Sequence, residues 1–283
     1  MTAKAGVTPR DAVDSAGAAE PSRVGVLLRE WRRHRRISQL ELASRIDSSA
    51  RHLSCVETGR AKASRNMVLR LADDLDVPLR ERNDLLLAAG YAPEYREADL
   101  DGDEMTAVRS ALDQLLNGHE PYPAVVVDRE WNLVSSNRAV SVLLDGVLPE
   151  LLEPPVNVMR LALHPGGLAA RSTNFVEMRA HLLERLLRQV NATGDARLRA
   201  LYDEVRAYGP PEGVDDVPAR GRIPVEVVIP TRFRSPRGEL SMFSTVATFG
   251  APADITLSEL AIESFFPADE HTAAVLRERA VEG

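Results

Sequence analysis

From Ser22 onward the apolar positions follow a helical period: Val24, Leu27, Leu28 and Trp31 recur at spacings of three and four, which predicts a helix to about Arg36. Ser38 to Glu41 reads SQLE. In that pattern a serine side chain accepts from the backbone of the third helical residue and a glutamate reaches back to the cap. The short helix it opens ends near Ile46. Asp47 to Ser49 then supplies a turn and the N-cap of a third helix, which closes at Thr58 and Gly59. Two short helices joined by such a turn make a helix-turn-helix. Ser64 caps a fourth helix with Met67, Val68, Leu71 and Leu75 on its inner face, and Pro78 opens a fifth that stops at Gly90.

After Pro93 the pattern changes. Pro123 to Asp128 (PAVVVD) and Trp131 to Ser136 (WNLVSS) are short strand-like runs separated by turn residues. Two helical stripes follow: Phe175, Met178, Leu182, Leu183, Leu186 and Val190, then Leu198, Leu201, Tyr202 and Val205. Ile223 to Ile229, Leu240 to Phe249 and Glu259 to Phe266 read as three more strands, the first two divided by a hairpin break at Ser235 to Gly238. Five strands with helices gathered between the second and third predict an α+β domain: a five-stranded antiparallel sheet covered by helices.

Length and composition organise these elements. At 283 residues the chain suits two domains, each with its own core. The expected divisions are a disordered leader over residues 1–21, a five-helix domain over 22–93, an acidic linker over 94–104 and an α+β domain over 105–283. No apolar run is long enough for a membrane span, and a single cysteine, Cys55, excludes an internal disulfide framework. A cytoplasmic location is expected. The chain carries a net charge of −7, yet Ser22 to Arg65 holds eleven basic side chains against four acidic ones. A basic end on an acidic protein points to a polyanionic partner.

Double-stranded DNA is the expected partner, because the second helix of such a motif enters the major groove with its N-terminal side chains at base edges. Ser49, Ala50, Arg51 and His52 lead that helix, and Cys55 lies one turn on as a small side chain at the groove. Arg51 is the candidate base reader, since a guanidinium can donate two hydrogen bonds to guanine. Gln39, Arg60 and Lys62 are the candidate phosphate contacts. Glu57 is expected to serve structure, paired with Arg32. Use of the helical domain on a protein partner is the alternative, distinguished by weak salt dependence.

Residues Ser38 to Pro93 closely resemble the five-helix, lambda-repressor-like DNA-binding domain of XRE-class bacterial repressors, with the Q-x-x-L-A opening at Gln39, Leu42 and Ala43 and the V-E-x-G closing at Val56, Glu57 and Gly59. The turn departs from that pattern, with Asp47 and Ser48 in place of glycine and an apolar residue. Asp tolerates the left-handed conformation such a turn requires. Ala124 to Ala139, Asn157 to Arg171, Met178 to Leu186 and Phe265 to Ala273 resemble the MmyB-like regulators.

That second resemblance implies a PAS-like fold and a small apolar ligand such as a fatty acid. Candidates for an apolar lining are Met159, Leu163, Phe175, Met178, Leu182 and Phe243, for which ordinary core packing is the competing explanation. Arg160 and His164, one turn apart on a helical reading, are candidates for a carboxylate head group, with a surface pair or a helix C-cap as the alternative. His181 and Arg185 read as a solvated helix face. No nucleophile elbow, metalloprotease motif or phosphate loop is present, and the six histidines lack metal-ligand spacing, so neither catalysis, metal nor cofactor is expected. A DNA-binding domain fused to an enzyme with a site assembled from distant residues is the remaining alternative. A ligand-responsive transcription regulator acting as a homodimer is the expected whole.

Overall fold

A computed structural model of the chain describes residues 22–211, 230–250 and 252–282. Two compact units result, the first ending at Pro93 and the second running on from Glu94, with residues 78–80 grouped in the second. The leader read over residues 1–21 lies outside the described residues.

The first unit is helical: α1 (Arg23–His34), α2 (Gln39–Arg45), α3 (Ala50–Glu57), α4 (Arg65–Asp74) and α5 (Leu79–Ala88). Ser22, Ser38, Ser49 and Ser64 cap the first four, each accepting from the backbone N–H three residues on. Each such cap is worth about 1 kcal/mol. The turn between α2 and α3 puts Asp47 at φ 51, and the Ser48 N–H then donates to the Ala43 carbonyl at 2.8 Å. Leu28, Leu42, Leu53, Val56, Leu71 and Leu75 form the core. Gly25 lets α1 approach α3, because a Cβ there would lie 2.6 Å from the Val56 carbonyl oxygen and 2.7 Å from that of Glu57.

In the second unit α6 (Thr106–Gly118) precedes β1 (Ala124–Val127) and β2 (Leu133–Ser136). Four helices follow: α7 (Ser141–Leu144), α8 (Val158–Leu163), α9 (Phe175–Thr193) and α10 (Ala196–Ala207). The chain closes with β3 (Thr231–Ser235), β4 (Gly238–Thr248), α11 (Ile255–Glu259), β5 (Ala261–Pro267) and α12 (Glu270–Glu282). The sheet is antiparallel in the order β2-β1-β5-β4-β3. Leu112 and Leu116 of α6 pack on one face with Ala124, Val126 and Ile262. Directly opposed residues share a face, so Val125 with Glu263, Phe265 with Ser244, and Met242 with Thr231 all point to the other one. The covering helices lie over that face.

Several sequence expectations change here. Among the described residues the third strand is Thr231–Ser235, a segment whose one buried residue, Phe233, stands between two arginines and so shows no apolar alternation. The strand read over Ile223 to Ile229 lies outside the described residues. The last strand begins at Ala261, because Asp254 caps α11 over Ile255–Glu259. The stretch read as a linker, 94–104, is bound into the second unit: the Ala98 N–H donates to Asp254 Oδ2 at 2.9 Å and Thr256 Oγ1 donates to the Ala98 carbonyl at 2.6 Å. Helix α12 went unread because its buried side chains, Thr272, Ala273, Val275 and Leu276, are bunched near its start and one of them is polar.

Candidate functional site

The helix-turn-helix places α3 on a buried anchor. Glu57, with no exposed surface, receives Arg32 Nε on Oε1 at 2.6 Å, and on Oε2 both Arg32 Nη2 at 2.9 Å and the Gln39 amide at 2.7 Å. Arg29 donates to the Glu57 carbonyl at 3.0 Å. Burial pushes the Glu57 carboxyl up, but the hydrogen bonds from Arg32 and Gln39 and the charges of Arg32 and Arg29 outweigh it and hold the pKa below the ordinary value. Arg35 donates to the carbonyls of Leu75 and Asp76, both at 2.8 Å. Arg29, Arg32 and Arg35 of the basic run therefore hold helices together, a use that charge counting does not reveal.

What remains exposed lies at the start of α3 and after it. Ser49 accepts from the His52 N–H at 3.1 Å, and Arg51 and His52 project from the first turn into solvent. Ala50 packs against the core and Cys55 is half-buried. Arg60 and Lys62 are exposed in the segment between α3 and α4, with Lys62 Nζ 5.5 Å from the centre of the Tyr91 ring. Arg51 and Arg60 make no ion pair or side-chain hydrogen bond among the described residues. A guanidinium left unpaired at a helix N-terminus is available to an external acceptor.

In the second unit a cavity of about 630 Å³ lies between the sheet and the covering helices, within the range of small-molecule sites. Its walls are mostly aliphatic, from Val125, Leu133, Leu144, Met159, Ala162 and Met242 among others. Helix α9 lends Met178, His181, Leu182 and Arg185, positions that share one helical face. The polar groups gather at one place. Arg185 Nη1 donates to Glu263 Oε1 at 3.0 Å, Ser244 Oγ donates to the same oxygen at 2.7 Å, and the guanidinium lies 4.3 Å over the Trp131 ring. Trp131 adopts φ 68, an uncommon conformation for so bulky a residue. Its indole N–H donates to Gln189 Oε1 at 2.7 Å, and its carbonyl accepts from the Val158 N–H at 2.9 Å.

Residues 108–278 match the family model described as the MmyB-like transcription regulator ligand binding domain. The chain belongs to the MmyB-like transcription regulators. Residues 23–85 of this regulator match a helix-turn-helix domain model, so the two matches join a DNA-binding motif to a ligand-binding domain. Comparison with curated proteins finds no match. Among solved structures it is similar to the clp gene regulator ClgR from Corynebacterium glutamicum, at 22% identity over 35% of this chain and 93% of that one, with a TM-score of 0.22. It is also similar to an RNA-binding light-oxygen-voltage receptor, at 14% identity over 92% of this chain and 62% of that one, with a TM-score of 0.26.

Of the eight residues read as ligand contacts, three line the cavity of this MmyB-like regulator: Met159, Met178 and Leu182. Leu163 and Phe175 are packed into the surrounding core, and Phe243 stacks on Phe266 at 5.4 Å, beside a separate depression. Arg160 is held by Glu204 through two hydrogen bonds at 2.7 and 2.8 Å and does not face the cavity. His164 caps α8, accepts the Gly166 N–H on Nδ1 at 3.0 Å and meets Tyr208 edge-on. The helix ends at Leu163, and His164 and Arg160 meet the same pair of groups, Glu204 and Tyr208, whose hydroxyl donates to Glu204 Oε1 at 2.5 Å. His181 and Arg185, read as solvated, are cavity residues; their spacing with Met178 and Leu182 was the available signal. Glu263 and Ser244 gave none, since only strand register brings them to α9. At the other unit, Gln39 is engaged by Glu57, a bond its reading as a phosphate contact did not include. No described helix is long and apolar enough to cross a membrane.

Proposed function

We propose that this chain is an XRE-type, sequence-specific regulator that works in the cytoplasm as a homodimer and changes its operator affinity when a small apolar molecule occupies the second unit. The cavity of about 630 Å³ with mainly aliphatic walls is the observation that carries the proposal. Fatty acids are the ligand class implied by the resemblance. Arg51 and His52 lead the recognition helix, with Ser49, Ala50 and Cys55 beside them at the groove. Arg60, Lys62 and the α2 terminus at Gln39 face phosphates. Two motifs on a two-fold axis would read half-sites about 34 to 36 Å apart.

Ligand alters operator affinity only as far as it binds the DNA-competent and incompetent arrangements differently. The test is operator affinity measured on delipidated protein and on protein saturated with an apolar probe, after a duplex has been selected from a random pool. A reproducible shift supports ligand response; identical affinities across a saturating range overturn it. Light scattering of the same samples checks the dimer, and native mass spectrometry before and after solvent extraction reads what co-purifies.

A further inference from the structure

We infer that the turn from Asp128 to Asn132 carries the effect of a bound ligand from Trp131, in the cavity wall, to the first turn of α5, through the ion network of Arg129, Glu259 and Arg80. The inference rests on reading the cavity as the ligand site of a DNA-binding regulator. Trp131 lines the cavity, so a molecule that fills it touches the turn between β1 and β2. That turn is braced internally. Asp128 Oδ1 accepts from the backbone N–H groups of Glu130 and Asn132, both at 2.8 Å, and Oδ2 accepts from the Asn132 amide at 3.0 Å. A second brace comes from α9, where Gln189 accepts from the Trp131 indole at 2.7 Å and donates to the Arg129 carbonyl at 3.0 Å. Trp131 and Arg129 therefore belong to one hydrogen-bonded piece, and a displacement of the first moves the second.

Arg129 is one of two guanidiniums on a single carboxylate. Its Nη1 donates to Glu259 Oε1 at 2.9 Å; Arg80 Nε donates to the same oxygen at 2.8 Å and Arg80 Nη2 to Oε2 at 2.9 Å. The Glu259 side chain is 17% exposed. Burial pushes its carboxyl up, but the hydrogen bonds from Arg80 and Arg129 and the charges of both outweigh it and hold the pKa below the ordinary value. Because Oε1 serves both arginines in a poorly screened cluster, a shift of Arg129 changes the hold on Arg80. Each arginine also has a second acid, Asp195 at the N-cap of α10 for Arg129 and Glu97 at 2.6 Å for Arg80. Residues 78–80, grouped with the second unit, open α5, and later turns of the same helix give Leu85 and Leu86 to the core of the first. Arg80 is thus the point at which the network meets a helix of the DNA-binding unit.

The experiment measures operator affinity of the full-length, delipidated protein with and without saturating decanoic acid, by fluorescence anisotropy on a duplex selected from a random pool. Wild type is compared with Glu259→Ala, Arg80→Gln and a control, Arg197→Gln, which removes the pair with Glu130 of the same turn but stands outside the network. Glu259→Ala leaves each arginine its second acid, so neither charge is stranded. Wild type is expected to shift by about fivefold or more, the scale of ordinary coupling. The shift should shrink to within about twofold in Glu259→Ala and Arg80→Gln, with decanoic acid affinity kept within about threefold of wild type, and should persist in Arg197→Gln. Coupling is reciprocal, so the duplex should change decanoic acid affinity by the same factor in wild type and not in those two variants, a readout that simple destabilisation would not move. A full shift retained in the folded variants, or its loss in Arg197→Gln as well, overturns the inference and leaves a ligand-responsive regulator standing. Failure of wild type to bind decanoic acid, or binding without any shift, overturns the reading on which the inference rests. If Glu259→Ala does not fold, Arg80→Gln decides alone.

Discussion

Arg32 holds Glu57 with two parallel hydrogen bonds, Nε to Oε1 at 2.6 Å and Nη2 to Oε2 at 2.9 Å, tying α1 to the C-terminal end of α3 across 25 positions of sequence. Glu57→Ala leaves Arg32 and Gln39 without their acceptor in a closed interface. A loss of about 3 to 5 kcal/mol is expected. Differential scanning calorimetry of the full chain checks it: the transition of the helical unit falls while that of the second unit stays in place.

The same carboxylate makes the helical unit sensitive to acid. Its pKa is held below the ordinary value, about 4.5, so the folded state keeps the charge to lower pH than the unfolded state does. The stabilisation is full above about 4.5 and disappears as pH falls through the depressed folded value. Thermal melts across pH 6 to 3 should show a decline in wild type that is shallower in Glu57→Gln, which carries no titrating group at that position. Equal slopes would count against the assignment.

Gly25 is a contact, not a flexible joint. Gly25→Ala drives a Cβ toward two backbone oxygens of α3, which cannot yield unless the recognition helix shifts, and a loss of about 1 to 3 kcal/mol is expected. Gly118→Ala, where an added Cβ meets nothing within 4 Å, is the matched control. It should be neutral or stabilising by up to about 1 kcal/mol. Denaturant titration of both variants separates the cases.

Arg51 and Lys62 should fail differently on DNA. Arg51→Ala is expected to cost about 1 to 3 kcal/mol at one base position and relax the preference there. Lys62→Ala should weaken all sequences alike and reduce the slope of log affinity against log salt by about one. Fluorescence anisotropy on a selected duplex and its single-base variants, repeated over a salt series, reads both. A uniform loss in Arg51→Ala would reassign it to phosphate.

Filling the cavity should empty it of ligand. Leu182→Trp places a larger side chain inside, and the affinity for a medium-chain fatty acid probe is expected to fall about tenfold or more. Arg160→Gln breaks the paired hydrogen bonds to Glu204 outside the cavity, between side chains that are 40% and 38% exposed. Probe affinity should then stay within about twofold and stability within about 1 kcal/mol. Calorimetric titration and a thermal melt check each.

The helices of the first unit were legible because local chemistry writes them. Ser38 followed by Glu41, and Ser49 before Ala50, announce caps whose bonds involve residues three apart. Asp47 announced a residue able to take φ 51, and the Glu57 pairing with Arg32 followed from helical direction. The strands β1, β2 and β4 showed themselves as apolar, β-branched-rich runs bounded by turns, and β3 did not, because arginines flank Phe233.

The residues of the cavity were another matter. Periodicity along α9 identified Met178 and Leu182 as inward-facing, but could not say whether an inward face meets other side chains or an open space. That depends on how far helix and sheet stand apart. Arg160 and Arg185 are both arginines on apolar-patterned helices, yet one is held outside by Glu204 and the other reaches Glu263 inside. Sequence alone determined the caps, the turn, the helix-turn-helix and its exposed Arg51, because those depend on neighbours a few residues apart. Only tertiary structure decided which charges meet in the cavity, because Glu263, the partner of Arg185, lies 78 positions on, and antiparallel register between β4 and β5 sets Ser244 beside it on the same face.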